Sequence, residues 1–123
     1  MIFKNDLYTF LSANLSVPTA VTSNVGNVRD GYLIFQRILT NHDYAHDGNS
    51  GLVMARYQFD AYANKKQDAI LIINELKTLI DNYSGLMGES KVQGVFVVNE
   101  FDTLDKDSGM YREEIEFNIQ YYE

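Results

Sequence analysis

The segment from Ser50 to Ala63, SGLVMARYQFDAYA, constrains the fold more than any other part of the chain. Apolar side chains alternate along it with mostly polar ones. Because successive side chains of a β-strand point to opposite faces of the sheet, this alternation predicts a strand with one buried face. The predicted buried face comprises Val53, Ala55, Tyr57, Phe59 and Ala61. The opposite face comprises Met54, Arg56, Gln58, Asp60 and Tyr62.

Two amphipathic helices are predicted, one at residues 2–15 and one at residues 65–83. In both segments apolar residues recur at spacings of three and four, which is typical of a helix with one buried face. Pro18 ends the first helix, because the residue before a proline is disfavoured in helical geometry. Gly85 supplies a stop after the second helix.

Three further segments predict strands. Residues 32–40, YLIFQRILT, are short and rich in β-branched and aromatic residues. Residues 91–103 alternate with Val95, Val97 and Phe101 on one face and Val92, Phe96 and Val98 on the other, and Gly94 predicts a β-bulge. Residues 110–122 present an apolar face and a strongly polar face. The polar face comprises Arg112, Glu114, Glu116, Asn118 and Gln120.

Together these segments predict one α+β domain over residues 1–123. Its sheet is four-stranded and mainly antiparallel, with two helices on one face, in the order α-β-β-α-β-β. Residues 41–51, NHDYAHDGNSG, are polar and are predicted to form a loop too long for a two-residue hairpin. Residues 19–30 are predicted to form a loop that includes at most one short turn or strand, and residues 105–109, DKDSG, are predicted to form a turn.

Composition restricts the classes of function. The chain has 123 residues and a net charge of −7, which disfavours nonspecific DNA binding, since that needs clustered Lys and Arg. It has no cysteine, which excludes disulfides and thiolate chemistry. No apolar run approaches the ~20 residues that a membrane-spanning helix needs. We therefore expect neither specific nucleic-acid binding nor a membrane contact.

His42 and His46, with Asp43 and Asp47 beside them, are the first candidates for a metal site. A metal site needs ligands that converge, and the segment is predicted to be a loop, where a spacing of four does not bring two histidines together. None of the common nucleophile, phosphate-loop or zinc-helix motifs occurs. We therefore predict no catalytic residue, no metal and no cofactor. A metal-dependent enzyme that uses His42 and His46 stays as a less favoured alternative.

Several predicted strands carry apolar residues on both faces, above all Tyr32–Thr40. Two helices are barely enough to cover both sides of a four-stranded sheet. Exposed apolar surface on a small protein often marks a contact with another protein. This pattern favours an oligomer over complete burial within one chain.

Several motifs occur in an order and spacing that resemble a known family. A helix like IFKNDLYTFLSANLSV precedes a strand like GYLIFQRI, and DSGMYREEIEFNIQYY closes the chain. Between them lies a Ser-Gly-Leu and Arg-x-Gln-x-Asp-x-Tyr-Ala pattern, here Ser50, Gly51, Leu52, Arg56, Gln58, Asp60, Tyr62 and Ala63. The sequence resembles the tail completion proteins of long-tailed bacteriophages and prophages, also called tail-to-head joining or tail terminator proteins. It departs from them in a longer segment around residues 42–49.

The resemblance implies a structural role without catalysis. Such proteins form a ring, usually a hexamer, that caps the tail tube and joins the tail to the head connector, while DNA passes through the lumen. The implied partners are further copies of the chain, the tail tube protein and the head connector or head completion protein. The implied location is the head–tail junction of the virion, after assembly in the cytoplasm of the bacterial host. Another phage neck or tail tube structural protein is the alternative.

Two sets of residues are candidates for contacts. A face that contacts neighbouring subunits or the lumen is expected to comprise Arg56, Gln58, Asp60, Tyr62, Arg112, Glu114 and Glu116. Loops that contact the tube or connector are expected to comprise His42, Asp43, Tyr44, His46, Asp47, Asp105, Lys106 and Asp107. The net charge of −7 suits a lumen through which DNA slides, since like charge repels phosphate.

Overall fold

A computed structural model describes residues 2–15, 19–21, 31–45, 48–104 and 110–122. Helix α1 spans Ile2–Asn14 and helix α2 spans Lys66–Ile80. The strands are β1 (Thr19–Val21), β2 (Tyr32–Ala45), β3 (Gly48–Ala63), β4 (Gly85–Met87), β5 (Ser90–Leu104) and β6 (Tyr111–Tyr122).

The strands form one sheet in the order β1-β2-β3-β6-β5-β4. β1 pairs parallel with β2, and the other neighbours pair antiparallel. The predicted four-stranded sheet in the order α-β-β-α-β-β is therefore wrong, because the described residues form six strands in the order α-β-β-β-α-β-β-β. The two additional strands, β1 and β4, have three residues each. The sequence allowed for one short strand within residues 19–30, where β1 lies, but predicted no strand at residues 85–87. Three residues are too few to show an alternating pattern.

The loop predicted at residues 41–51 is also wrong. Strands β2 and β3 pair along their length, from Tyr32 opposite Tyr62 to Ala45 opposite Gly48. Backbone pairing depends little on side-chain polarity, so β2 and β3 stay paired through these polar residues. Residues 46 and 47 lie outside the described residues.

The core lies between the helices and one face of the sheet. The predicted inner face of β3 is confirmed, because its five predicted residues are fully buried. The same cluster takes Ile115, Phe117, Ile119 and Tyr121 from β6, Phe3, Leu7 and Leu11 from α1, and Ala69, Ile72, Ile73, Leu76 and Ile80 from α2. Because both helices contribute to one cluster with this face, the opposite face of the sheet carries neither helix.

Helix α1 is fixed to the sheet at its first turn. The Phe3 ring stacks on Tyr121, with centroids 4.0 Å apart, and meets Tyr57 edge-on at 5.9 Å. The Ser90 hydroxyl donates a 2.6 Å hydrogen bond to the Asp6 carboxylate. The stacked aromatic pair contributes beyond its buried area, about 0.5–1.5 kcal/mol. The spacing of apolar residues in α1 therefore serves direct contact with β3 and β6.

Helix α2 approaches the beginning of β2 so closely that Gly31 has no room for a side chain. A Cβ atom at Gly31 would lie 2.8 Å from the Tyr62 carbonyl oxygen and 2.9 Å from Ile72 Cδ1. Its φ of +107° is also rarely adopted by residues with a side chain. Neither helix of the described residues is long and apolar enough to cross a membrane.

Strand β5 contains two register shifts, one between Val92 and Gly94 and one between Val97 and Asn99. The first confirms the bulge predicted at Gly94. The predicted division of β5 into two faces is wrong, because each extra residue reverses the alternation that follows. Val92 and Val95 both lie in the core, whereas Phe96 and Phe101 both lie on the helix-free face.

The Tyr57 hydroxyl is buried and has no hydrogen-bond partner among the described residues. Burial raises the pKa of Tyr57 well above its usual value, with Tyr121 adding to the increase and Arg37 opposing it. We expect Tyr57→Phe to leave the free energy of unfolding unchanged or to raise it by about 1 kcal/mol, because it removes an unsatisfied polar group and keeps the ring. Urea denaturation measures this. A loss above about 1 kcal/mol would contradict the expectation and indicate a partner outside the described residues.

Candidate interaction surface on the helix-free face

The seven residues predicted to form a contact face lie together on the helix-free face of strands β3 and β6. The cross-strand pairs are Gln58 with Glu116, Asp60 with Glu114, and Tyr62 with Arg112, and Arg56 lies opposite Asn118. Side chains in such pairs have Cβ atoms about 5 Å apart. We call the set the polar face: Arg56, Gln58, Asp60, Tyr62, Arg112, Glu114 and Glu116. Its role in contacts stays a prediction.

Two carboxyl groups at the centre of the polar face are buried, although neither helix covers them. Asp60 is 8% exposed and Glu114 is 6% exposed. The Gln58 amide donates to both Asp60 carboxyl oxygens at 3.2 Å. A guanidinium nitrogen of Arg112 lies 3.4 Å from Glu114 Oε1. Each carboxyl group therefore has a polar partner: the Gln58 amide for Asp60 and the Arg112 guanidinium for Glu114.

Apolar neighbours in the same row of the sheet explain this burial. Ile34 on β2 lies opposite Asp60, and Phe101 on β5 lies opposite Glu114. The two apolar side chains flank the carboxyl groups, one on each side, and cover part of their surface. The sequence pattern could not reveal this, because the register that puts Phe101 beside Glu114 depends on the second β5 bulge.

The buried pair holds protons more tightly than ordinary carboxyl groups. Burial raises the pKa of Glu114 to about 6, and the charge of Asp60 adds to the increase, whereas Arg112 opposes it. Burial also raises the pKa of Asp60, against the opposing effects of the Gln58 hydrogen bond and the Arg112 charge. Two carboxyl groups this close titrate as a unit, because ionising one disfavours ionising the other.

Aromatic contacts extend the polar face toward β2. The Tyr32 and Tyr62 rings stack with centroids 5.0 Å apart. The pKa of Arg112 is raised, mainly by a hydrogen bond with Tyr62. Arg112 therefore connects the stacked tyrosines to Glu114.

The polar face is close to neutral. It has three carboxyl groups and two guanidinium groups, a formal charge of −1, whereas the whole chain has −7. Most of the excess negative charge therefore lies elsewhere on the chain. The repulsion of DNA expected from the composition is not a property of this face.

Exposed apolar side chains surround the polar face: Leu39 on β2, Met54 on β3, Phe96 and Phe101 on β5, and Tyr122 on β6. The Phe96 ring lies over Gly94, where a Cβ atom would come within 2.8 Å of it. An aromatic ring over a strand glycine covers exposed backbone. The strands with apolar residues on both faces predicted exposed apolar surface, but the sequence pattern did not single out these residues as a set.

The residues predicted for partner contacts are less completely described. His42, Asp43 and Tyr44 lie in β2 and not in a loop, and their side chains are outside the description. His46, Asp47, Asp105, Lys106 and Asp107 are also outside the described residues. Within the described part of the chain, no three His, Asp or Glu side chains are placed to hold a metal ion.

The fold and this surface define a small α+β domain with one face of its sheet uncovered by its helices. No protein-family profile matches the sequence, and no curated protein matches it. Its structure is similar to a chain of a solved particle described as "Virion of native gene transfer agent (GTA) particle", with a TM-score of 0.72 and 9% sequence identity. The similarity covers 92% of this chain and 84% of that chain, so the two share a fold.

Proposed function

We propose that this chain is a structural subunit of a phage-like virion, and that it forms a ring that caps the tail tube and joins the tail to the head connector. The observation that carries the proposal is the fold shared with a chain of a virion particle over 92% of the length. In this proposal the ring is a hexamer, DNA passes through its lumen without specific contacts, and no step is catalytic.

The topology supports a subunit with different partners at its two ends. The pair Ala45 and Gly48 lies at one end of the sheet, whereas Leu104 and Tyr111 lie level with Ala63 at the opposite end. Strand β3 between these ends has 16 residues, or roughly 50 Å at about 3.3 Å per residue. Contacts with the tail tube would use one of these ends, and contacts with the connector would use the other.

Deletion of the gene from its phage or prophage tests the proposal. We expect tails of irregular length and filled heads that are not joined to tails, seen by electron microscopy, with recovery when the gene is supplied in trans. Absence of tail tubes would instead assign the chain to the tube itself. Normal particles that lack the chain by mass spectrometry would contradict a virion role.

We predict that Asp60→Ala impairs assembly while the monomer stays folded. The substitution removes the carboxylate opposite Glu114 and the acceptor of the Gln58 amide, so it changes the polar face without creating a cavity in the core. Circular dichroism and the yield of infectious particles measure the two parts of the prediction. Asp68→Ala, on the exposed side of α2, is the matched control. If the Asp60→Ala phage is as infectious as wild type, Asp60 does not take part in the contacts needed for assembly.

A further inference from the structure

The sheet has an incompletely paired strand at each side. On β2, β1 pairs only with Leu33–Phe35, and no other described strand pairs with that edge beyond Phe35. On β5, β4 pairs only with Ser90–Val92, and one further backbone bond runs from the Asn82 N–H to the Val95 carbonyl. From Phe96 onward, no described strand pairs with that edge of β5. Edges of this kind are templates for pairing with another chain.

Each open edge carries two adjacent exposed apolar residues: Ile38 and Leu39 on β2, and Phe96 and Val97 on β5. All four side chains are between 37% and 46% exposed. Ile38 and Leu39 lie beyond the part of β2 that pairs with β1, and Phe96 and Val97 lie beyond the part of β5 that pairs with β4. Natural edge strands usually carry charges or prolines at such positions, which prevent association.

The register places one residue of each apolar pair, Leu39 and Phe96, in the same row at opposite sides of the sheet, whereas Ile38 lies at the register shift and has no partner on β3. One row of cross-strand partners runs Leu39, Arg56, Asn118, Phe96. The next row runs Arg37, Tyr57, Phe117, Val97. Leu39 and Phe96 therefore share both a row and a face.

The strand directions also match. β2 is antiparallel to β3, β3 to β6 and β6 to β5, so β2 and β5 run in opposite directions. A second copy, rotated about an axis parallel to the strands, presents its β2 edge to the β5 edge of the first copy in antiparallel orientation and without a vertical shift. Such a contact joins two different patches, and repeated rotation closes it into a ring.

We infer that residues 36–39 of one copy pair antiparallel with residues 96–99 of the next copy, so that Leu39 packs against Phe96 and the sheet continues from subunit to subunit. The helices then lie on one side of the ring wall and the polar face lies on the other. The inference deepens the proposed function by naming the surface that closes the ring, and it rests on that function only for the number of copies.

Cysteine cross-linking tests the pairing, because the natural chain has no cysteine. The Leu39→Cys/Phe96→Cys double variant, joined by oxidation or by a short bifunctional thiol reagent, is expected to give a ladder of covalent oligomers that ends in a closed ring. An equal mixture of the two single variants is expected to stop at dimers. The Leu39→Cys/Leu71→Cys variant, whose second cysteine lies on exposed α2, is the control and is expected to give no ladder.

A second variant tests the same edge without cross-linking. Val97→Lys is expected to weaken self-association at least about tenfold in sedimentation, because it places a second positive charge level with Arg37 of the next copy. Leu71→Lys is its control and is expected to have no effect.

Three outcomes would overturn the inference: dimers from Leu39→Cys alone, an equal ladder from the control pair, or no cross-link in both the isolated chain and purified particles. The results separate this inference from the proposed function. A ladder from a chain that is absent from virions would refute the virion role and support the edge pairing. A chain present in virions whose cysteines do not cross-link would refute the edge pairing alone.

Discussion

Phe59→Ala is expected to lower the free energy of unfolding by about 3–5 kcal/mol, the usual cost of truncating a fully buried phenylalanine. Phe59 is completely buried on the inner face of β3. Its ring stacks with Phe35 at 5.6 Å and meets Phe117 edge-on at 5.7 Å, so its removal breaks aromatic contacts on both neighbouring strands. A domain of this size typically has 5–15 kcal/mol of stability, so the loss is a large fraction of the whole.

Urea denaturation of wild type and variant, at a concentration at which the chain is monomeric, measures the loss. Phe96→Ala is the matched control, because it removes the same side chain from the helix-free face of the same sheet. We expect the control to cost less than about 1 kcal/mol. Equal losses for the two variants would mean that the core does not lie where the structure places it.

The position of Phe59 in the core could be predicted from the sequence alone. The alternation from Val53 to Ala61 is regular, and β3 is central in the sheet, with β2 on one side and β6 on the other. The register of β3 with β6 runs from Leu52 to Ala63 without a shift. Where no extra residue interrupts a strand, the period of two stays in phase and the sequence predicts each face.

The same argument fails where the backbone departs from that period. In β5 the shift after Val97 places Phe101 on the helix-free face, beside Glu114, and not with Val95 in the core. Only Gly94 gave a sequence signal for a bulge, and Val98 gave none. The shift between Arg37 and Leu39 had the same effect on β2, so the shared row of Leu39 and Phe96 could not be found before the register was known.

The sequence predicted which residues form the polar face but not the burial of its carboxyl groups. Its residues were identified from the alternation of two strands, and the unbroken β3–β6 register places them together. The burial of Asp60 and Glu114 depends on Ile34 and Phe101, which come from strands distant in sequence. Composition suggested a negatively charged surface that repels DNA, whereas the centre of this face is a pair of buried carboxyl groups between two apolar side chains.

Glu114→Gln is expected to stabilise the isolated chain by up to about 2 kcal/mol at neutral pH and to have little effect near pH 4. The pKa of Glu114 is raised from 4.5 to about 6 in the folded chain. Between these values the folded state binds more protons than the unfolded state, so the free energy of unfolding falls as pH rises. Each pKa unit corresponds to about 1.4 kcal/mol, which gives a total loss of about 2 kcal/mol across this window. The raised pKa of Asp60 adds a loss of the same sign.

Glutamine avoids most of this loss, because it is neutral at every pH and its amide can donate to the Asp60 carboxylate as the protonated acid does. Denaturation at several pH values from 4 to 8 measures the slope for wild type and variant. Glu116→Gln is the control, because it removes a charge from the same face, at a position less buried than Glu114, and should retain most of the slope. If Glu114→Gln keeps the full pH dependence of the free energy of unfolding, or is less stable than wild type at pH 8, the raised pKa of Glu114 is not the cause of that dependence. A carboxyl pair that lowers stability at neutral pH is typical of residues that serve contacts and not folding. A Glu114→Gln chain that is more stable than wild type but assembles poorly would therefore support the raised pKa of Glu114. It would also support the proposed role of the polar face in contacts.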